Sequence, residues 1–309
     1  MRKVIGIGET ILDIIFKHNR PTSATPGGSV FNGMITLGRL GQKVCFISDV
    51  GRDRIGRLIC EFMKENGVSD HYVNRHPTAR TAVSLAFLDD NSDADYTFFK
   101  DYSYQGLQGE FPPVEPDDIV VFGSYYALNP LLRPRMKDFL QQCREADALI
   151  YYDINFRKSH SYEAGSLTPV LTENFGYADI LRGSEDDFMA LYAMNDPESI
   201  YREKISSRTH CFVYTAGAKQ VVLQTPTLSK SYTVTPITPL STVGAGDSFN
   251  AGIVFGLLKQ GIRREQLPAL DQEQWNIIIG YAMRFSAEVC QSYDNYISRD
   301  TAERIRCQE

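Results

Sequence analysis

Short apolar runs alternate along the chain with stretches whose apolar positions recur every three or four residues. Val4 to Gly8 and Lys43 to Val50 (KVCFISDV) read as buried strands, as do Ile119 to Phe122, Leu149 to Tyr152 and Cys211 to Thr215. Helical spacing runs from Ser29 to Leu40 and stops at Gly41. It returns from Asp53 to Asn66, where Ile55, Leu58, Ile59, Phe62 and Met63 share a face and Gly67 follows as a terminator. Pro134 to Ala146 has its proline in the first turn, and Ser184 to Met194 has a polar cap at Ser184. Gly246 to Lys259 and Glu273 to Gln291 are further helices. Strand–helix alternation of this kind predicts an α/β fold, with a mostly parallel central sheet covered by helices on both faces.

One region departs from that alternation. Thr81 to Leu88 (TAVSLAFL) and Tyr96 to Lys100 (YTFFK) read as two strands joined by the polar linker Asp89 to Asp95, with no helix between them. They predict a small antiparallel flap over the C-terminal edge of the main sheet. Asp89, Asn91 and Asp93 imitate the start of a calcium loop, but Ala94 stands where that loop requires glycine and Lys100 where it requires glutamate, so no calcium site is expected. No internal repeat or low-complexity tract is visible.

Composition narrows the functional classes. The 309 residues are 43% hydrophobic and 23% charged, enough for one large α/β domain or two smaller ones. A net charge of -6 without a dominant basic patch argues against nucleic acid and anionic membrane as partners. The six cysteines are scattered and the five histidines form no metal-ligand spacing, which suits reduced thiols and no zinc. The opening MRKVIGIGETILD is too short an apolar stretch for a signal peptide and is cut by Glu9 and Asp13. No run approaches a membrane span. A cytoplasmic protein is expected.

Two nucleotide motifs fail. Gly6 and Gly8 follow a strand, but Ile11 occupies the third glycine position of a dinucleotide fingerprint, and no P-loop sequence exists. The sharp signal is Ser241 to Phe249 (STVGAGDSF). Gly244, Ala245 and Gly246 precede a strongly periodic helix, so backbone N–H groups at the helix start can cradle an anion. Asp247, in the first turn, can take a proton from a hydroxyl while that cradle holds the charge on a transferred phosphoryl group. On residues alone, Asp247 also reads as a helix-capping acid and the glycines as a tight turn.

With Thr242 ahead of it, Gly244-Ala245-Gly246-Asp247-Ser248-Phe249 resembles the C-terminal signature of the ribokinase-like, or PfkB, carbohydrate kinases. Pro26-Gly27-Gly28-Ser29-Val30-Phe31-Asn32, closed by Leu40-Gly41, resembles the family's second signature. Gly8, Glu9 and Asp13 match its opening element, and Asp153, Asn155 and Arg157 match its D-x-N-x-R element. The motifs occur in family order over essentially the whole chain. The resemblance implies one three-layer α/β/α domain over 1–309, with a small lid of β-strands drawn from about 11–31 and 78–105.

It further implies that Asp247 is the general base and that Gly244, Ala245 and Gly246 form the anion hole. Asp13, Asn32, Asn155 and Arg157 would contact the sugar, with Gly27 and Gly28 letting the backbone approach it. Asp13 otherwise reads as a solvated loop acid and Arg157 as a surface arginine. Ser184, Thr215 and Gly217 would border ATP together with Gly244 and Gly246. Asp187 takes the place of a family glutamate that holds magnesium through water, although Ser184 and Asp187 also read as an ordinary helix cap. Ala282 to Ala287 resembles the helix beside adenine, and Ala287 makes the contacts there apolar. Ser241 stands where relatives often carry an aspartate tied to a monovalent cation, so weak or absent potassium stimulation is expected.

The opening element, the D-x-N-x-R element and Asp179 to Ser184 resemble the fructokinase branch, which implies ATP, Mg2+ and fructose as partners. A 2-keto-3-deoxygluconate kinase shares two of these elements, and Arg80, Lys100 or Arg157 would then meet a carboxylate. A non-catalytic sugar sensor on the same fold is the alternative of another class. Phe87, Tyr96, Phe98 and Phe99 on the flap imply a homodimer formed lid to lid.

Overall fold

The computed structural model describes residues 2–88, 94–100 and 106–308. In chain order the elements begin with β1 (Lys3–Ile7), β2 (Ile11–Lys17), β3 (Arg20–Gly27), α1 (Ser29–Arg39), β4 (Lys43–Gly51) and α2 (Arg54–Glu65). Short strands β5 (Val68–Ser69) and β6 (Val73–His76) lead to β7 (Val83–Leu88) and β8 (Ala94–Phe99). The second half runs β9 (Ile119–Gly123), α3 (Arg133–Glu145), β10 (Leu149–Asp153), α4 (Ala164–Tyr177), β11 (Ile180–Ser184), α5 (Glu185–Tyr192) and α6 (Pro197–Ile200). It closes with β12 (Cys211–Ala216), β13 (Gln220–Gln224), β14 (Ser229–Thr233), α7 (Ala245–Lys259), α8 (Gln272–Cys290) and α9 (Arg299–Gln308).

The main sheet has the order β14-β13-β12-β11-β10-β9-β1-β4-β5, with β6 also on β4. From β4 across to β12 every neighbouring pair is parallel, and β13 and β14 add an antiparallel edge. The chain leaves β1 toward β4 on one side and later returns to β9 on the other, so the order reverses at β1. In open α/β sheets ligands bind beyond the strands' C-terminal ends at such a point.

The apolar runs explain the layers. Successive residues of a strand face opposite sides. Val4, Val121, Leu149 and Val213 therefore join one core with Phe31 and Met34 of α1, Ile59 of α2, Val254 of α7, Ile278 of α8 and Ile305 of α9. Their neighbours Ile5, Phe122, Ile150 and Tyr214 join a second core with Phe139 of α3, Phe175 of α4, Phe188 of α5 and Ile200 of α6. Strands buried on both faces need continuous apolar runs, which is what the sequence carries. Within the first core, α7 and α8 meet almost backbone to backbone. A Cβ on Gly252 would stand 2.4 Å from the Ala282 Cα, and one on Gly256 would stand 2.8 Å from the Ile278 Cα.

The lid is a four-stranded sheet of order β3-β2-β7-β8. The expected hairpin is its β7–β8 pair, which is antiparallel. The sheet as a whole is mixed, however, because β2 and β7 run parallel. A parallel pair needs a long crossover, and here the body from α1 to β6 supplies it. Half of the lid comes from Ile11–Lys17 and Arg20–Gly27, while Ser29–Phe31 belong to α1. Residues 89–93, with most of the rejected calcium-loop likeness, and 101–105 lie outside the described residues, as does the Tyr96 side chain. No helix among the described residues is long and apolar enough to cross a membrane.

Candidate active site

The N-terminus of α7 forms the floor of the site. Gly244 caps it in a left-handed conformation, φ 79 and ψ −2. A Cβ there would also stand 2.3 Å from the carbonyl oxygen of Asn295. Glycine alone meets both conditions. The chain then enters the helix directly: the Ser248 N–H donates to the Gly244 carbonyl at 2.9 Å, closing the first helical bond. The first-turn N–H groups of Gly246 and Asp247 have no carbonyl within the helix to reach, and the peptide dipoles add positive potential there.

Asp247 stands in that first turn. Its Oδ2 accepts from Asn32 Nδ2 at 2.8 Å, and Asn32, 4% exposed, projects from the first turn of α1. Burial pushes the Asp247 carboxyl up to about 7. The charge of Asp153 adds to that, while Asn32 and the Arg182 guanidinium oppose it. A cavity of about 10 Å³, lined by Ser29, Gly33, Asp153, Asp247 and Asn250 among others, lies behind the carboxylate.

Asp153, the last residue of β10, pairs in register with Arg182 in the middle of β11. Arg182 Nη1 donates to Asp153 Oδ1 at 3.0 Å and Nη2 to Thr215 Oγ1 at 2.6 Å, while Nε has no partner. The other Asp153 oxygen accepts from Asn250 Nδ2 at 2.8 Å, and Tyr151 OH donates to Asn250 Oδ1 at 2.8 Å. A Cβ on Gly246 would lie 3.4 Å from either terminal guanidinium nitrogen. A buried cation, its charged form held firmly by Asp153, therefore sits directly beneath the anion cradle. Sequence reading passed over Arg182, because nothing in its neighbourhood shows that Asp153, Thr215 and Gly246 converge on it.

The opposite wall comes from the lid and α1. Asp13 on β2 faces Ser84 on β7 across the parallel pair, and the Ser84 hydroxyl donates to Asp13 Oδ1. Burial raises the Asp13 pKa against this bond and the nearby charge of Arg157. Gly28 caps α1 at φ 134, where a Cβ would stand 2.2 Å from the Glu9 carbonyl. Lys100 pairs with Glu9 at 2.6 Å. Asn155 follows β10 in a left-handed backbone, φ 37. Exposed Arg157 lies 5.5 Å from the Phe98 ring centre, bridging the end of β10 to the lid. Ser84 is a second residue that sequence reading missed, since strand register alone brings it to Asp13.

On the nucleotide side the expected residues divide. Thr215 is buried against Arg182, and Gly217 makes the exposed turn between β12 and β13 at φ 51. Ser184 caps α5, and Asp187 completes a reciprocal capping box. Asp187 Oδ2 accepts from the Ser184 N–H and hydroxyl, and Oδ1 accepts from the Phe156 N–H at 2.5 Å. At 3% exposure its oxygens accept from these donors, an arrangement that fits the helix-cap alternative. Among the described residues no cluster of three or more His, Cys, Asp or Glu side chains could hold a metal. The site thus brings together Asp247, Asn32, the Gly244–Gly246 turn and Thr215, with Asp13, Gly27 and Gly28 facing them, while Asp187 turns inward.

This arrangement suits proton removal beside a pocket for negative charge. The model of the pfkB family carbohydrate kinases matches residues 1–302. The fructokinase of Vibrio alginolyticus is 23% identical over 256 residues, which cover 82% of this chain and 83% of that protein. The fructokinase of Vibrio cholerae O395, solved with fructose, ADP and a calcium ion, superposes with a TM-score of 0.82 at 21% identity, covering 96% of this chain and 94% of that one. The aminoimidazole riboside kinase of Salmonella enterica, bound to its riboside and an ATP analogue, gives 0.81 at 20% identity, covering 99% and 100%. At such identities the structural likeness establishes the fold.

Proposed function

The chain belongs to the pfkB family of carbohydrate kinases, and from that premise we propose that its acceptor is fructose, phosphorylated on a hydroxyl by ATP to give fructose 6-phosphate. Phosphoryl transfer to a sugar hydroxyl is the family's reaction. The observation that carries the assignment of roles is the Asp247 carboxylate, held by Asn32 in the first turn of a helix that opens on left-handed Gly244.

The sugar lies between the lid and α7, with hydroxyls against Asp13 and Asn32 and its reacting hydroxyl against Asp247. Asn155 and Arg157 meet it from the end of β10. Asp247 takes the hydroxyl proton as the oxygen forms a bond to the γ-phosphorus. The bond from that phosphorus to the bridging oxygen breaks, and ADP leaves. Charge on the phosphoryl oxygens is met by the N–H groups of the Gly244–Gly246 turn, the α7 dipole and the cation of Arg182 below them. Thr215, Gly217 and Ser184 border the nucleotide. Magnesium would accompany ATP and offset phosphate charge, and Asp187, hydrogen-bonded to Ser184 and the Phe156 N–H, would face it through water. Ser241, whose hydroxyl accepts from the Val243 N–H at 3.2 Å, supplies no carboxylate for a monovalent cation.

One observation favours a second acceptor. Arg157 lies 5.5 Å from the Phe98 ring centre and Lys100, ion-paired with Glu9, 5.0 Å from it, so Arg157 brings a positive charge to the lid side beside that pair. That suits a carboxylate such as that of 2-keto-3-deoxygluconate. ADP release measured across fructose, ribose, 2-keto-3-deoxygluconate, tagatose phosphate and adenosine separates the readings. Turnover of another sugar with none of fructose removes fructose, and no turnover at all supports a sensor.

We also propose a homodimer joined lid to lid. Phe98 and Phe99 are 43% and 57% exposed on β8, a strand at the edge of the lid sheet. The free cysteines, four of them buried, suit a reducing compartment and support a cytoplasmic enzyme.

A further inference from the structure

The segment after α8 touches both halves of the cleft. Where this segment begins, at the last residue of α8, the Cys290 carbonyl accepts from the Leu240 N–H at 2.8 Å, which ties the end of α8 to the chain leading into the anion turn. Tyr296, 2% exposed, lies under the Arg39 guanidinium at 4.5 Å and beside Phe62, which fixes it against α1 and α2. Asn295 is held between these anchors and is itself only 3% exposed. Its carbonyl oxygen backs the Gly244 turn, 2.3 Å from where a Cβ would be.

Its side chain points the other way. Asn295 Nδ2 lies 3.5 Å from the point where a Gly27 Cβ would stand, and Asp13 Oδ2 lies 2.2 Å from that same point. The carboxamide makes no hydrogen bond among the described residues. Ser84 occupies Asp13 Oδ1 and leaves Oδ2 open. A carboxamide without a protein partner, on a residue only 3% exposed, has its hydrogen bonds to give to water or to a ligand. The missing Gly27 side chain lets an acceptor, Asp13 Oδ2, and a donor, Asn295 Nδ2, approach one point. A hydroxyl is the group that serves both, giving its proton to one oxygen and offering a lone pair to the other nitrogen.

We propose that Asn295 is a sugar-binding residue. It donates from Nδ2 to the hydroxyl that Asp13 Oδ2 binds, while its own carbonyl braces the turn that holds the phosphoryl group. The proposal rests on the reading that the cleft between Asp13 and Asp247 takes a sugar. It adds a contact outside the motifs that carry the family resemblance.

The test compares Asn295→Ala and Asn295→Asp with wild type, using the panel sugar with the highest kcat/KM and its monodeoxy analogues. In Asn295→Ala the KM for sugar should rise about 10- to 100-fold, with the KM for ATP within about twofold and the melting temperature within a few degrees. On the analogue lacking the shared hydroxyl, wild type and Asn295→Ala should have equal kcat/KM. Asn295→Asp keeps the shape but sets a second carboxylate beside Asp13, so its KM for sugar should worsen from pH 5 to pH 8. An unchanged sugar KM in both variants overturns the proposal. So does an equal loss for sugar and ATP accompanied by a large fall in melting temperature, which marks a brace and nothing more. If wild type phosphorylates no sugar, the parent reading fails first, before any variant is made.

Discussion

Asp247 meets two opposed demands. Enclosure favours its neutral form and places its pKa at about 7, against an ordinary 3.8. Between about pH 4 and pH 7 the folded chain keeps a proton that the unfolded chain has released, so stability linked to this group falls as pH rises through that window. Proton abstraction needs the ionised form, so kcat/KM should climb through about pH 7 and level off above it. Asp247→Asn should lower kcat by about 10²- to 10⁴-fold in an ADP-release assay while sugar binding persists. The same variant should melt higher than wild type at pH 8, where it removes an enclosed charge, and show little difference at pH 5. Arg182 works in the opposite sense. Arg182→Ala leaves Asp153, 1% exposed, without its cation, at a cost of roughly 3–5 kcal/mol. Thermal melts should show that loss, and the KM for ATP should rise. Arg182→Lys should recover part of the melting temperature, but a single ammonium cannot reach both Asp153 and Thr215 as the fork does. Asp247, Asn32, Gly28 and Gly244 were legible in the sequence because each lies in a local pattern with its own physical logic. Arg182 and Ser84 were not, because their partners Asp153 and Asp13 reach them only through strand register. Asp187 shows the reverse problem, a local pattern with two meanings that only burial separates.

The turn from Ser241 to Gly244 is ordered without a carboxylate. The Ser241 hydroxyl takes the Val243 N–H, and Leu240 binds the Cys290 carbonyl. Potassium should therefore change kcat by less than about twofold when ionic strength is held constant with a large organic cation; strong stimulation would mean that carbonyl oxygens alone build the site. Elements with clear apolar periodicity were readable to within a residue or two, α2 and β4 among them. Others carried no such signal. β3 (RPTSATPG) has two prolines and no alternation, which an edge strand tolerates because, among the described residues, one side of its backbone pairs with no strand. β14 (SKSYT) is mostly polar, half of α9 is charged, and α4 contains Pro169. Their places are set by neighbours, not by their own composition.

At the level of the whole molecule the lid is the incomplete part. Among the described residues its outer strands, β3 and β8, each pair on one side only, and β8 adds two exposed phenylalanines. Unprotected edges and apolar patches favour pairing with another chain. Light scattering at micromolar concentration should give twice the chain mass, and Phe98→Ser with Phe99→Ser should shift it toward a single chain. A mass of one chain for the wild type would count against the dimer.

Gly252 and Gly256 press α7 against α8 so closely that neither can take even a methyl group. The helix that carries the acid is thereby immobilised, an anvil against which other parts must move. Adaptation to a different acceptor should therefore spare this helix pair and accumulate on the lid side, around Asp13, Ser84 and the residues after α8. Laboratory evolution toward a new sugar would then rewrite the grip and leave the chemistry alone.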